Sequence, residues 1–316
     1  MLWGGSYGIT DIALTGFTPT GVALWRSVVG AGFLAAVLLT TGEGLPRLGQ
    51  RGVLRILVLG ALTTTGQVCV ATAQQRMACG VVAVLCSTTP LLAVAFYWVR
   101  RTPIPPMKWV SVSLGAVGVG VMLAPGAQAD HLGVALGLLA AALFALAGML
   151  AAAFFPDSTF SGTQLTAAQL AVGALLLVPF AAAGAGGDGL PSWPQPGPLI
   201  AVAALGMCAA GVGNVLFWRV LRTAGPVFAA TTYQSVPVVA VVVGVVVLKE
   251  PLHAGGILGG ALVLAGLFLL LPIVRAAGAE QDSRVEECLI GVHCENCCAM
   301  RGLETVRKEH QRRVCG

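Results

Sequence analysis

The sequence predicts an all-α membrane protein: a ten-helix bundle of two inverted five-helix repeats, with a truncated first helix and a short soluble Cys-rich C-terminal tail. Composition is the first observation, since hydrophobic residues make up 57% of the 316 residues and charged residues only 10%, whereas about 25% charged is usual in a soluble domain. The second is that the apolar segments have the length of membrane-spanning helices. The third is that one pattern of segments occurs twice along the chain.

The duplicated pattern is clearest around two prolines. Pro90 and Pro237 are each followed in the sequence by an apolar stretch of helix length, a short charged break and a Gly-rich apolar stretch. Gln67 stands 23 residues before Pro90, and Asn214 stands 23 residues before Pro237. An internal duplication of hydrophobic spans is typical of a membrane transporter built from two halves.

Dividing the chain at its charged, Pro-rich and polar breaks yields spans of about 20 residues, the length that crosses a bilayer core. The predicted spans are 20–40, 53–73, 78–99, 107–124, 132–155, 163–183, 197–218, 226–248 and 253–273. Residues 2–14 are too short to cross, and we interpret them as the remnant of a first helix whose opening turns are missing or start upstream of Met1. A cleaved signal peptide is disfavoured because no basic region precedes the segment and Asp11 interrupts it. The predicted repeats are therefore 1–125 and 131–275.

The loop charges predict the orientation in the membrane. One face of this topology carries most of the Lys and Arg residues of loops and ends, at positions 47, 51, 55, 100, 101, 108, 219, 222 and 275. The opposite face carries Arg76 and Lys249. Since basic loops stay in the cytoplasm, we expect an inner-membrane, multi-pass protein with both termini cytoplasmic. The net charge of +5 thus comes from loop residues that orient the protein in the membrane, and no nucleic-acid partner is expected.

An ordered set of motifs resembles a known family. The set is the opening Leu2-Trp3-Gly4-Gly5-Ser6, Arg26 in the second helix, the prolines Pro90 and Pro237, and Lys249-Glu250-Pro251 before a Gly-rich helix. It is similar to the EamA domains of the drug/metabolite transporter superfamily, over residues 1–274. The resemblance implies ten helices in two inverted five-helix repeats and efflux of small metabolites, often amino acids or related compounds. This chain departs from the pattern in its late first helix and in Thr102, which stands where the second repeat has Glu250.

Charged residues inside the predicted spans are the first candidates for function, because a charge at mid-bilayer costs about 2.5–3.5 kcal/mol. Arg26, which the duplication sets opposite Gln169, either pairs with a substrate carboxylate or organises a cavity, or it extends to the nearer membrane surface. Asp11 is either a proton-coupling carboxylate or an interfacial residue. Glu250 is best explained as a cap at the start of the last helix.

Polar groups and helix breaks that recur in both halves are the other candidates. A buried amide must find a partner, which is either a substrate or a neighbouring helix, and paired prolines in an inverted repeat indicate a central site. The candidate substrate-binding residues are Arg26, Gln67, Thr88, Pro90, Asn214, Trp218, Tyr233, Gln234 and Pro237. Gln74 and Ser87 belong to the same polar set, whereas Trp3 and Tyr7 are either cavity residues or interface anchors.

The sequence thus favours a secondary exporter of a small metabolite that works by alternating access, with membrane lipid as its other partner and no cofactor. An enzyme is disfavoured because His131 and His253 stand alone at predicted helix starts. Glycines 255, 256, 259 and 260 form G-x-x-x-G pairs, which suit helix packing within the monomer or a homodimer face.

The tail, residues 276–316, supports one alternative. It is rich in Cys, and Cys294, Cys297 and Cys298 with His293 include a C-x-x-C spacing that could hold a soft metal. A metal-binding or metal-responsive membrane protein is therefore the alternative function. The other interpretation of the tail is a disordered or accidental extension.

Overall fold

The computed structural model describes residues 2–44, 46, 48–89, 91–92, 106–122, 130–155, 160–184, 195–223, 235–246, 255, 257–266 and 268–269. All of them lie in the first of the chain's two units, Met1–Val274. Pro90, Tyr233, Gln234, Glu250 and the tail with its cysteines lie outside the described residues.

The regular elements of the described residues are all helices. They are α1 (Leu2–Leu14), α2 (Pro19–Thr41), α3 (Gln50–Gln74), α4 (Cys79–Cys86), α5 (Pro106–Met122), α6 (His131–Phe154), α7 (Gly162–Gly184), α8 (Pro196–Ala204, Leu205–Val212 and Gly213–Thr223), α9 (Ser235–Val246) and α10 (Ile257–Gly266). Within the described part, α2, α3, α6, α7 and α8 are long and apolar enough to cross a membrane. The predicted all-α membrane class is confirmed, while the inverted ten-helix repeat stays a prediction.

Local signals explain where α2 begins and ends. Thr18 precedes the helix, and its Oγ1 accepts the backbone N–H of Gly21 at 3.1 Å. Pro19 follows in the first turn, where its missing N–H costs nothing. The helix stops at Gly42, whose φ of 73° is a left-handed conformation that favours glycine.

Helix α7 begins with a capping box. The backbone N–H of Gln164 donates to Ser161 Oγ at 3.1 Å, and the backbone N–H of Ser161 donates to Gln164 Oε1 at 2.9 Å. Two N–H groups that the first helical turn leaves without partners are thereby satisfied.

Helix α8 contains a π-helical segment, Leu205–Val212. Gly206 in this segment packs directly on α2: a Cβ there would lie 2.7 Å from Val29 Cβ and 2.9 Å from the Arg26 carbonyl oxygen. Such distances leave room for hydrogen only, so glycine allows α2 and α8 to cross at backbone contact.

A second glycine makes the corresponding contact between α3 and α7. A Cβ on Gly60 would lie 2.7 Å from Val172 Cγ1 and 3.1 Å from the Gln169 carbonyl oxygen. Arg26 and Gln169, which the duplication matches, therefore each lie against a glycine of a neighbouring helix. The two crossings bring α2, α3, α7 and α8 together around one centre.

The helix contacts occur in matched pairs when α1–α5 are aligned in order with α6–α10. Three contacts of the first five helices each have a counterpart among the matched helices. The contact between α3 and α6 corresponds to that between α8 and α1, and the contact between α2 and α8 corresponds to that between α7 and α3. The contact between α4 and α6 corresponds to that between α9 and α1. The pairs α2–α7 and α4–α9 join equivalent helices. So do α5 and α10, where a Cβ on Gly118 would lie 2.7 Å from the Gly259 carbonyl oxygen. At this crossing the Gly-rich helices pack within the monomer, and a homodimer stays a prediction.

The outer surface of the bundle is apolar. Leu39, Leu175 and Phe180 are among the large hydrophobic side chains that point outwards. In a soluble protein such a surface would be costly, whereas lipid solvates it readily. Several polar side chains of the spans, among them Arg26, Gln67 and Asn214, instead lie around a cavity inside the bundle.

Candidate functional site

A cavity of about 140 Å³ lies among α1, α2, α3, α4, α6, α7, α8 and α9. Its described polar lining consists of Ser6, Tyr7, Thr10, Arg26, Ser27, Thr63, Thr64, Gln67, Ser87, Gln169 and Asn214. Its aromatic lining consists of Trp3, Phe144, Phe217 and Trp218. The cavity therefore offers hydrogen-bonding groups beside aromatic faces, and Arg26 supplies a positive charge.

Arg26 points into the protein, and it does not extend to the membrane surface. The residue is 8% exposed, and its Nη1 donates to Gln67 Oε1 at 2.9 Å. This bond joins α2 to α3 across the cavity wall. Since Oε1 is a neutral acceptor, the bond orients the guanidinium without neutralising its charge.

Gln169 links α7 to α3, as Arg26 links α2 to α3. Its Nε2 donates to Thr63 Oγ1 at 3.0 Å, and both residues line the cavity. Gln169 was not among the candidate site residues, although the duplication sets it opposite Arg26. That match was the signal in the sequence that could have identified it.

Asn214 and Trp218 both line the cavity from α8, as the sequence led us to expect of a common site. Asn214 Nδ2 donates to the Ala210 carbonyl oxygen of its own helix at 2.9 Å. The Trp218 ring lies edge-on to Phe155, with centroids 6.5 Å apart and planes at 77°. The structure thus brings four of the predicted residues, Arg26, Gln67, Asn214 and Trp218, to one cavity.

The short helix α1 contributes one wall of the cavity. The sequence had not decided whether its aromatic residues line a cavity or lie at the membrane interface. Trp3 Nε1 donates to the Ala209 carbonyl oxygen in the π-helical segment at 3.1 Å, and its ring lies 5.4 Å from that of Phe217. Gln74 Nε2 donates to the Tyr7 carbonyl oxygen at 2.8 Å. These contacts hold α1 against α3 and α8, so this helix of 13 residues forms one wall of the cavity.

The remaining predicted residues are not seen in the lining. Thr88 is buried, but its Oγ1 donates to the Leu85 carbonyl oxygen at 2.7 Å, and its neighbour Ser87 faces the cavity instead. Asp11 lies on α1 outside the described lining. Pro237 belongs to α9, although its side chain is not described, and Pro90, Tyr233 and Gln234 lie outside the described residues.

No group of three or more His, Cys, Asp or Glu side chains within the described ranges is placed to hold a metal ion. The cysteines on which the metal-binding alternative depends all lie in the tail. Nothing in the described site favours that alternative.

Contacts at the two ends of α3 join the predicted halves. Ser161 Oγ donates to Glu43 Oε2 at 2.7 Å near the start of α3. Arg76 Nη1 donates to Asp130 Oδ2 at 2.9 Å just beyond its end. A helix of 25 residues is about 37 Å long, so the two contacts lie at opposite ends of the bundle, with the cavity between them.

The model of the EamA-like transporter family matches residues 1–124 and 131–271. The chain belongs to the EamA-like transporter family. The resemblance drawn from the sequence motifs is thereby confirmed, and with it membership of the drug/metabolite transporter superfamily. The EamA family consists of membrane transporters of small solutes, and its match together with the apolar helices shows that this chain is an integral membrane protein.

Known proteins resemble this EamA member in sequence or in fold. A WAT1-related protein from Arabidopsis thaliana is 36% identical over 73 residues, a match that spans 23% of this chain and 19% of the plant protein. A crystal structure of another protein superposes with a TM-score of 0.59 at 16% sequence identity, covering 87% of this chain and 97% of that one. The second similarity concerns the fold alone.

Proposed function

We propose that this EamA protein is a secondary transporter that exports a small metabolite, an amino acid or a related compound, across the cytoplasmic membrane by alternating access. The observation that carries the proposal is the central cavity, in which Arg26, Gln67 and Asn214 meet aromatic side chains between helices of both predicted halves. Polar groups are costly in hydrocarbon, so their concentration around one cavity supports a solute site.

The contact pattern of the helices supports a two-fold repeat. Inverted repeats produce matched helix pairs around a central site, and rocking of one half against the other then exposes that site to either side. The contacts Glu43–Ser161 and Arg76–Asp130 join the halves at opposite ends of the bundle. Alternating access would break one of them in each open state.

The charge distribution supports the cytoplasmic membrane and cytoplasmic termini. Arg51 and Arg55 lie at the start of α3, and Arg219 and Arg222 lie near the end of α8. Under the positive-inside rule both helix ends face the cytoplasm. The export direction itself follows from family resemblance and requires a direct test.

The test is tolerance of cells that express the chain to toxic amino acids and metabolite analogues. Arg26→Ala and Gln67→Ala are compared with the parent at equal membrane abundance, and Leu175→Ala, on the exposed outer surface, is the matched control. We expect tolerance to one compound class, its loss in both cavity variants and its retention in the control. A stably inserted parent that protects against no compound would contradict the proposal.

Deletion of residues 276–316 separates transport from the tail-based alternative. A metabolite exporter that depends on the cavity should retain its tolerance phenotype after this truncation. Loss of the phenotype at unchanged abundance would instead assign the function to the tail.

A further inference from the structure

We infer that the cavity selects its solute by charge: Arg26 binds a carboxylate group, and a solute that carries a positive charge without a carboxylate is excluded. The inference rests on the proposed transport function and names the chemistry of its substrate. Gln67 acts here as a positioning residue for the guanidinium.

The charge of Arg26 is buried and has no anionic partner within the part of the chain that the structure describes. The ion pair found there joins Arg76 to Asp130, at the end of the bundle. The described lining of the cavity contains neither Asp nor Glu. Burying an unpaired charge is costly, so an anionic solute that enters the cavity recovers free energy that a cation cannot.

Among the residues that the structure describes, the hydrogen bonding of Arg26 leaves most of its donors for a solute. A guanidinium has five N–H donors, and the described acceptor for Arg26 is Gln67 Oε1, 2.9 Å from Nη1. The planar fork of Arg matches the two oxygens of a carboxylate. The Gln67 amide orients this fork while leaving its full charge available.

The rest of the described lining is neutral and suits either an uncharged group or the ammonium of a zwitterion. Hydroxyl groups of Ser27 and Thr64 can accept a hydrogen bond from an ammonium, and an aromatic face such as that of Trp218 can attract it by a cation–π contact. The cavity volume of about 140 Å³ is several times the volume that one water molecule needs, so a solute of roughly half a dozen non-hydrogen atoms fits.

Three isosteric probes of that size separate the charge states: alanine is a zwitterion, lactate is an anion without an ammonium, and alaninamide is a cation without a carboxylate. Binding of each to the detergent-solubilised full chain is measured by the thermal unfolding midpoint and by tryptophan fluorescence, since Trp3 and Trp218 line the cavity. Transport of each is measured in vesicles that contain the same protein. We expect alanine and lactate to bind at least tenfold more tightly than alaninamide.

Three variants assign the preference to the proposed pair. R26Q should weaken alanine and lactate on the order of a hundredfold, because it removes one side of a buried charge pair. The same substitution should not weaken alaninamide, because it also removes the charge that repels a cation. R26K should lie between R26Q and the parent, because it keeps the charge but loses the fork. Q67E should also abolish carboxylate binding while keeping the fold, because the introduced carboxylate would itself pair with Arg26.

The outcomes separate the inference from the proposed function. Equal affinity for alanine and alaninamide in the parent, or unchanged affinity for alanine in R26Q and Q67E, would overturn charge selection while leaving transport intact. Binding of none of the three probes, with transport of some other compound, would also overturn it. If no compound is bound or transported, both the inference and the proposed function fail.

Discussion

Arg76 Nη1 donates to Asp130 Oδ2 at 2.9 Å, while Asp130 Oδ1 accepts the backbone N–H of Gly133 at 2.8 Å. One carboxylate therefore caps the start of α6 and also holds the turn that follows α3. Helices α3 and α6 pack together, and both line the cavity. The Asp130 carboxylate therefore links the start of α6, in the second predicted half, to the turn after α3, in the first.

The Asp130 carboxyl group should make the stability of the folded protein depend on pH. Its carboxyl pKa is held below the usual value, first by the Gly133 N–H and then by Arg76. A depressed folded-state pKa adds stability above the unfolded value of about 3.9, and that contribution is lost as the pH falls through the folded pKa. We expect Asp130→Asn to unfold at a lower temperature than the parent at pH 7. The difference should shrink towards pH 3 in thermal scans of the solubilised protein.

Arg76→Gln is the control for this prediction. It removes the ion pair but keeps the Gly133 N–H, the larger cause of the lowered pKa. The effect should be smaller than that of Asp130→Asn, since side chains that are 43% and 33% exposed form a weak, salt-screened pair. An Asp130→Asn protein with the same pH profile as the parent would refute the assignment.

Gln67 and Asn214 occupy matching places in the two halves but should differ in their effect on stability. Gln67→Leu leaves the buried Arg26 guanidinium without its acceptor, a loss of about 1–3 kcal/mol. Asn214→Leu removes a bond within one helix, a loss of about 0.5–1.5 kcal/mol. Thermal unfolding of both variants in detergent measures the difference. Equal destabilisation would mean that the Arg26–Gln67 bond contributes little.

Glycine at position 206 is predicted to be essential for packing. Gly206→Ala would place a methyl group 2.7 Å from Val29 Cβ, and the overpacking should cost about 1–3 kcal/mol. Gly32→Ala, on α2, meets nothing within 4 Å and should be neutral or stabilising by about 0.5–1 kcal/mol. Membrane abundance and the unfolding temperature distinguish the two. A tolerated Gly206→Ala would show that α2 and α8 do not cross at backbone contact.

The helix positions follow from the sequence more fully than the site does. The span predicted at 20–40 corresponds to Pro19–Thr41, and that at 53–73 to Gln50–Gln74. Hydropathy and caps are local properties, so a one-dimensional pattern reports them well. The short Leu2–Leu14 segment is also helical as expected, because its apolar residues and small glycines pack against other helices.

The partners of the site residues could not be predicted, because they depend on how helices cross. Arg26 had two interpretations, and only the crossing of α2 and α3 places Gln67 within 2.9 Å. Thr88 and Ser87 are adjacent in sequence and equally polar, yet the rotation of the chain after α4 turns only Ser87 towards the cavity. Gln169 was detectable through the repeat, but its bond to Thr63 was not.

The π-helical segment of α8 did leave a signal in the sequence, and this signal leads to the last prediction. Gly60 and Gln67 of α3 are seven residues apart, whereas their counterparts Gly206 and Asn214 are eight apart. Seven residues make two α-helical turns and keep one face. The wider turn of Leu205–Val212 absorbs the eighth residue, so that Gly206 still packs on α2 and Asn214 still faces the cavity.

Deletion of Met207 should therefore convert the π-helical segment into an α-helical one without changing the register of its two flanks. We expect the variant to insert with nearly parental abundance and unfolding temperature. Leu216 is an equally outward-facing residue of the same helix, but it lies in an α-helical part that contains no extra residue. Deletion of Leu216 should therefore rotate the buried Trp218 by about 100° about the helix axis. Its abundance should fall sharply. If both deletions are equally harmful, the π-helical segment is not a one-residue insertion relative to α3, and the matched placement of Gln67 and Asn214 needs another cause.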